Sequence, residues 1–147
     1  MKRHPVLANF SRDHHEALIT SQLIRKGAPK YRGLPEDTSG KKEYVIRFFE
    51  THLKDHFLKE EKILFSFCRG KSGAADALMD ELTAEHRLME SLVQKLALTS
   101  EESELLDNLG MLMESHIRKE ERILFQQLQD MLTDEDFNLL ELRMSAS

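Results

Sequence analysis

Two stretches of this chain match almost letter for letter: DHFLKEEKILF at 55–65 and SHIRKEERILF at 115–125, sixty residues apart. The repeat maps His56 onto His116, Glu60 onto Glu120 and Phe65 onto Phe125. A weaker match, seventy-two residues apart, pairs Asp13-His14 with Glu85-His86. Around these motifs the apolar residues recur at steps of three and four, the period of a helix face turned to a core. One stripe runs Val45, Phe48, Phe49, His52, His56, Glu60, Ile63, Leu64 and Phe67; a second runs Leu82, His86, Met89, Val93 and Leu96. A third runs Leu105, Leu109, Leu112, His116, Glu120, Ile123, Leu124 and Leu128. Strand-type alternation is absent over more than a few residues. The chain therefore reads as two helix pairs, each supplying one His and then a His-x-x-x-Glu.

The punctuation gives four long helices and a short fifth. The first runs from about Asn9 or Ser11, both candidate N-caps, to Lys26, closed by Gly27 and Pro29. A loop follows over 28–40. The second helix runs from about Lys41 to Arg69 and stops at Gly70, and the third from about Gly73 to Leu98. Thr99-Ser-Glu-Glu102 has the form of a capping box opening the fourth, which reaches about Met131. Thr133-Asp-Glu-Asp136 starts a last helix ending near Met144. Short connections make neighbours antiparallel, so the expected fold is an all-α, up-down-up-down four-helix bundle with a short C-terminal fifth helix. The expected organisation is a single domain over 1–147, with the four-helix core at about 9–131 and the last helix at about 134–144.

Composition removes several classes. A net charge of −5 with both signs interspersed argues against nucleic acid or an anionic membrane as the main partner. No apolar run approaches the roughly 18 residues of a membrane span. The N-terminus MKRHPVLANF lacks the apolar segment of a signal peptide, so the expected location is cytoplasmic. A single cysteine, Cys68, excludes an internal disulfide and a multi-cysteine metal site.

Position gives the histidines their meaning. His56, His86 and His116 fall at the midpoints of their helices, and His14 near the middle of the first if that helix begins close to Pro5. Midpoints of antiparallel helices meet at one height, so four imidazoles and two carboxylates converge on one interior layer. Two unpaired buried carboxylates would each cost several kcal/mol in desolvation, a cost that a bound metal removes. Imidazole and carboxylate without thiolate suit iron, zinc or copper, and six candidate ligands exceed the four of a structural zinc site. No Glu-x-x-His occurs, which excludes the carboxylate-rich ferritin-like pattern, and no His-Glu-x-x-His of a zinc protease occurs.

His14, His56, Glu60, His86, His116 and Glu120, on four helices in this order, resemble the hemerythrin-like (HHE cation-binding) family. The strings RDHHEAL, HFLKEEKILF, EHR and HIRKEERILF carry the resemblance over about residues 9–130. It implies a non-haem centre of two iron ions, bridged by the two glutamates and an oxo or hydroxo group. Oxygen-carrying members have a second His where this chain has Glu90, and an Asp five residues after the last His where Glu120 lies four after His116. The ligand set is closer to that of the hemerythrin-like domain of bacterial iron–sulfur cluster repair proteins. Two six-coordinate irons offer about 12 positions, and these ligands leave about two open to a small molecule.

Around the six principal residues stand His15, His52, Glu90, Glu61 and Glu121, as further ligands or as groups that hold the ligands. His15 competes with His14, and the repeat alignment favours His14. His52 precedes His56 by one turn and reads as a cavity residue or an additional ligand. Glu61 and Glu121 lie about 100° round the helix from Glu60 and Glu120, towards Lys or Arg of a neighbouring edge. The expected function is binding or sensing O2, NO or peroxide, or handling iron under oxidative or nitrosative stress. The alternatives are an enzyme-like role in peroxide removal or iron delivery for cluster repair, and a metal-free helical interaction module. The only visible candidate surface for a protein partner is the last helix at Glu141, Leu142 and Met144.

Overall fold

The computed structural model describes residues 2–146, which form helices α1 (Pro5–Leu23), α2 (38–68), α3 (Gly73–Leu98), α4 (102–131) and α5 (Asp134–Ala146). No strand occurs among them. Helix α1 begins earlier than Asn9 or Ser11. Pro5 sits at its first turn, where a missing N–H costs nothing, and His4 is the N-cap, its Nδ1 accepting from Val6 N–H at 3.1 Å. Helix α2 likewise starts early, capped by Asp37, whose carboxylate accepts from Gly40 N–H. Thr99 does not close a capping box: its hydroxyl accepts from Glu101 N–H at 3.1 Å and the helix starts one residue later. The box forms at α5 instead. There Thr133 Oγ1 accepts from Asp136 N–H at 3.1 Å while Asp136 accepts from Thr133 N–H at 3.0 Å.

Cross-helix pairs fix the directions. Glu61 meets His86 and Arg69 meets Asp80, so α3 runs against α2. Glu85–His116 and Glu81–Lys119 set α4 against α3, and Arg3–Glu121 with Arg25–Asp107 set α1 against α4. The interior is two apolar clusters separated by a polar layer. Phe10, Leu64, Phe65, Met79, Leu82, Leu124 and Phe125 belong to one. Ala17, Phe49, Leu53, Phe57, Met89, Met113 and Ile117 belong to the other. Phe137 and Leu140 of α5 complete the first cluster, and the Phe137 ring stacks on His4 at 3.7 Å. Met144 packs against that cluster, so of the expected surface on α5 Glu141 and Leu142 face outward, beside Leu139, and Met144 does not.

Three π-helical turns interrupt the long helices: Phe49–Leu53 and Glu60–Phe65 in α2, Glu120–Leu124 in α4. A π turn holds an extra residue and rotates everything beyond it. Leu64, Phe65 and Leu124 lie within these turns and Phe125 just after one, and all four are buried. Two stripes are also corrected. Leu53 faces the core where His52 is expected, and Ile123 is 46% exposed. In the first turns of α4, Leu106 and Met113 take the buried places expected of Leu105 and Leu112, which are only partly covered.

Helices α1 and α4 approach closely at Gly110 of α4. A Cβ there would lie 2.5 Å from the Ser21 carbonyl oxygen and 2.8 Å from Arg25 Cδ. Gly110→Ala gains about 1 kcal/mol of helix propensity, but separating α1 from α4 costs about 1–3 kcal/mol. A melting temperature lowered by a few °C is expected, since about 1 kcal/mol moves a domain of this size by 2–4 °C. A raised melting temperature would show that the two helices part freely.

Candidate metal centre

The polar layer lies where the helix midpoints meet. His14 comes from α1, His56 and Glu60 from α2, His86 from α3, His116 and Glu120 from α4, and all six are buried. His56–Glu60 and His116–Glu120 are one turn apart on a single face, so each helix presents both groups to the interior. The six fall into two overlapping groups. His14, His56, Glu60 and Glu120 place one ligand atom each within 4.8 Å of one another, and so do Glu60, His86, His116 and Glu120. Glu60 and Glu120 belong to both.

Eight atoms of this layer are buried without a hydrogen-bond partner: Nε2 of all four histidines and both carboxylate oxygens of Glu60 and Glu120. The closest imidazole–carboxylate approaches, 3.2 Å for His86–Glu60 and 3.3 Å for His116–Glu120, lack hydrogen-bond geometry. Buried polar atoms are otherwise satisfied in more than nine cases in ten. Eight orphans aimed at two common points are the donor set of cations, and the residues fit one well.

The opposite nitrogen of every ring is occupied. His14 Nδ1 lies 3.1 Å from Glu121 Oε1 and His56 Nδ1 2.9 Å from Asp13 Oδ2. His86 Nδ1 lies 2.7 Å from Glu61 Oε2 and His116 Nδ1 2.8 Å from Glu85 Oε1. A carboxylate at Nδ1 accepts the N–H and leaves Nε2 as the lone-pair donor, which is how metal-binding imidazoles are oriented. Each carboxylate comes from the neighbouring helix, so the four pairs close a ring around the bundle.

Electrostatics follow from this crowding. Burial alone would lower the His14 imidazole, but the carboxylates of Glu120 and Glu121 outweigh it and raise it to about 9. For His116 burial is likewise overcome, here by Glu120 and Glu85, to about 9. His56 also rises, with Glu60 and Asp13 opposing burial. Burial would raise Glu120, and its contacts with Glu60, His116 and His14 hold it well below the usual carboxylate range. Cys68 takes no part: burial pushes its thiol up to about 12.

The other expected residues sit elsewhere. His15 is exposed on α1. His52 is exposed too, stacked on Phe48 and in contact with Thr51 Oγ1 at 2.7 Å. Both line a solvent-open cavity of about 650 Å3 that reaches His56 and Asp13. Glu90 lines a different surface cavity beside Arg87 and does not join the cluster. Glu61 and Glu121 do meet the expected cations, Arg87 and Arg3, and in addition hold His86 and His14. Asp13 and Glu85, which in the sequence only align the weaker repeat, have the same role. The signal lies within the motifs: an acid stands immediately before the histidines of α1 and α3 and immediately after the glutamates of α2 and α4.

An antiparallel helical bundle with a buried layer of histidine and glutamate, its ligand atoms free and its far nitrogens held, defines a metal-binding bundle protein. The chain belongs to the hemerythrin HHE cation-binding domain family, whose pattern matches residues 6–141. No curated protein and no solved structure gives a match. Among the described residues no helix is long and apolar enough to cross a membrane.

Proposed function

We propose that the chain holds two iron ions, one among His14, His56, Glu60 and Glu120 and one among Glu60, His86, His116 and Glu120, and binds a small molecule there: O2, NO or peroxide. The observation that carries this reading is the set of eight buried ligand atoms without partners. Iron suits mixed imidazole and carboxylate donors and, when bound, supplies reversible redox and ligand-binding chemistry.

The chain's own residues determine what can reach the site. Beside the imidazoles lies an inner cavity of about 10 Å3, lined by His14, Ala17, Leu53, His56, Phe57, Met89, Met113, His116 and Ile117. It is close to the volume one water-sized probe requires. Apart from the imidazoles its walls are apolar, so it favours a diatomic over a larger or charged molecule. Phe57 stacks on His86 with ring centres 3.9 Å apart, which fixes that imidazole and helps exclude water. A second reading, iron held for transfer under oxidative or nitrosative stress, is favoured by the solvent-open cavity against His56.

The deciding experiment is metal analysis of protein from iron-supplied cells, with spectra before and after reduction. About two irons per chain and near-ultraviolet absorption that bleaches on reduction are expected. Trace iron with no uptake on reconstitution would overturn the reading. Glu61→Ala and Glu121→Ala should each weaken metal binding by about 10–100-fold, the usual cost of losing a carboxylate behind a ligating histidine. Competition with a chelator measures it. Unchanged affinity in both would mean that the Nδ1 contacts do not support the donors.

A further inference from the structure

The four carboxylates behind the histidines are alike in the sequence but unlike in the structure. Glu85, Glu61 and Glu121 are 15%, 17% and 24% exposed at the side chain, whereas Asp13 is 56% exposed. Each of the three covered acids is clamped by a cation: Glu121 by Arg3, Glu61 by Arg87 and Glu85 by Lys119. Asp13 has no ion pair except with His56 among the described residues. It also borders the cavity of about 650 Å3, which His56 lines and His14, His86 and His116 do not.

We infer that the two metal positions are unequal: the ion between His14 and His56 exchanges with solvent through this cavity, while the ion between His86 and His116 is retained. The inference rests on the metal reading above and specifies how that centre is loaded. Water competes for an exposed carboxylate, so Asp13 restrains the His56 ring less than a clamped, half-buried glutamate restrains its own. A ring that turns away releases one donor of four, and the ion behind it faces open solvent. The mouth carries the cations Arg12 and Lys59 and, among its donors, Asp13, Glu16 and Asp55 with the imidazoles of His15 and His52. These oxygen and nitrogen donors suit a divalent transition-metal ion shedding or regaining its water. His86 and His116 line no cavity of that size: the one of about 290 Å3 at Glu61 is lined by Phe57 and Arg87, their acids are pinned, and Phe57 and Phe65 stack against His86.

The test loads the full chain with two Co(II) and follows their removal by excess EDTA in visible absorbance and metal content. Two phases are expected, one cobalt per chain leaving first and the other at least about 10-fold more slowly, the lower end of what an orienting carboxylate contributes. Asp13→Asn should accelerate the first phase and leave the second unchanged, and Asp13→Glu should restore the original rate. Glu61→Gln should accelerate only the second. A merely structural role for Asp13 would speed both phases together. A single phase in the unsubstituted chain, or Asp13→Asn acting equally on both, would overturn the inference while leaving two bound ions intact. A chain that takes up no cobalt would overturn it together with the metal reading.

Discussion

Replacing Glu60 and Glu120 together with glutamine is expected to strip the chain of metal and to lower the stability of the metal-free protein near neutral pH. The two carboxylates are fully buried, and none of their four oxygens has a hydrogen-bond partner. Both belong to both ligand groups, so neutralising them removes half the donors of each ion at once. Metal content should fall from about two per chain to a trace. Without metal the Glu120 carboxylate faces His14 and His116 and sustains their raised protonation, so its charge favours the fold. An amide keeps the volume but removes the charge that faces these imidazoles. Removing one partner of a buried pair commonly costs about 3–5 kcal/mol, several °C here. Chelated samples of both proteins, melted side by side, check the second half. A double variant that keeps its metal would show that these residues do not coordinate it, and one that melts no lower when chelated would show that they do not pair with the imidazoles.

Metal should raise the melting temperature little in weak acid and most in weak alkali. In the metal-free chain His14 and His116 are raised to about 9, against about 6.5 when unfolded. Their protonated forms therefore favour the fold. That contribution is complete below pH 6.5, declines between 6.5 and 9, and is gone above 9. At about 1.4 kcal/mol per unit it amounts to roughly 3 kcal/mol for each ring. Glu120, held low, acts in the opposite sense: its contribution is present above about 4.5 and is lost in stronger acid. The metal-free protein should thus be most stable between about pH 4.5 and 6.5. The loaded protein follows another course. Metal requires unprotonated imidazoles and must displace these protons, so its stabilisation grows as pH climbs towards 9. From unperturbed histidines alone the change would centre near 6.5, and the buried carboxylates shift it upwards. Melting with and without chelator from pH 5 to 9.5 tests this, and a constant difference would mean that no imidazole proton is displaced.

Much of this was legible from the letters alone. The repeat of His-x-x-x-Glu at 56–60 and 116–120 gave the helical period, the two-fold plan and the interior layer, because helix geometry ties residues four apart to one face. Gly70 bounded α2 where expected, whereas α1 ends at Leu23, three residues short of the expected Lys26, and the choice of His14 over His15 followed from the repeat and agrees with burial. Capping was less legible. Asn9, Ser11 and Thr99 have capping chemistry, yet the starts at Pro5 and Glu102 lie elsewhere, because a side chain can cap only where the preceding backbone is free to leave the helix.

The sequence by itself determined the bundle and the six residues that meet at its centre, since spacing, period and helix length are properties of the chain alone. Tertiary structure decided everything that depends on which neighbour stands behind each residue. The π turn at Phe49–Leu53, invisible to a search for a regular period, lies where Leu53 faces inward and His52 outward. The ring of carboxylates crosses between helices far apart in sequence, so Asp13–His56 and Glu85–His116 leave no mark as pairs along the chain. Four acids that read alike became three clamped and one open, because exposure and the reach of Arg3, Arg87 and Lys119 exist only once the helices have packed.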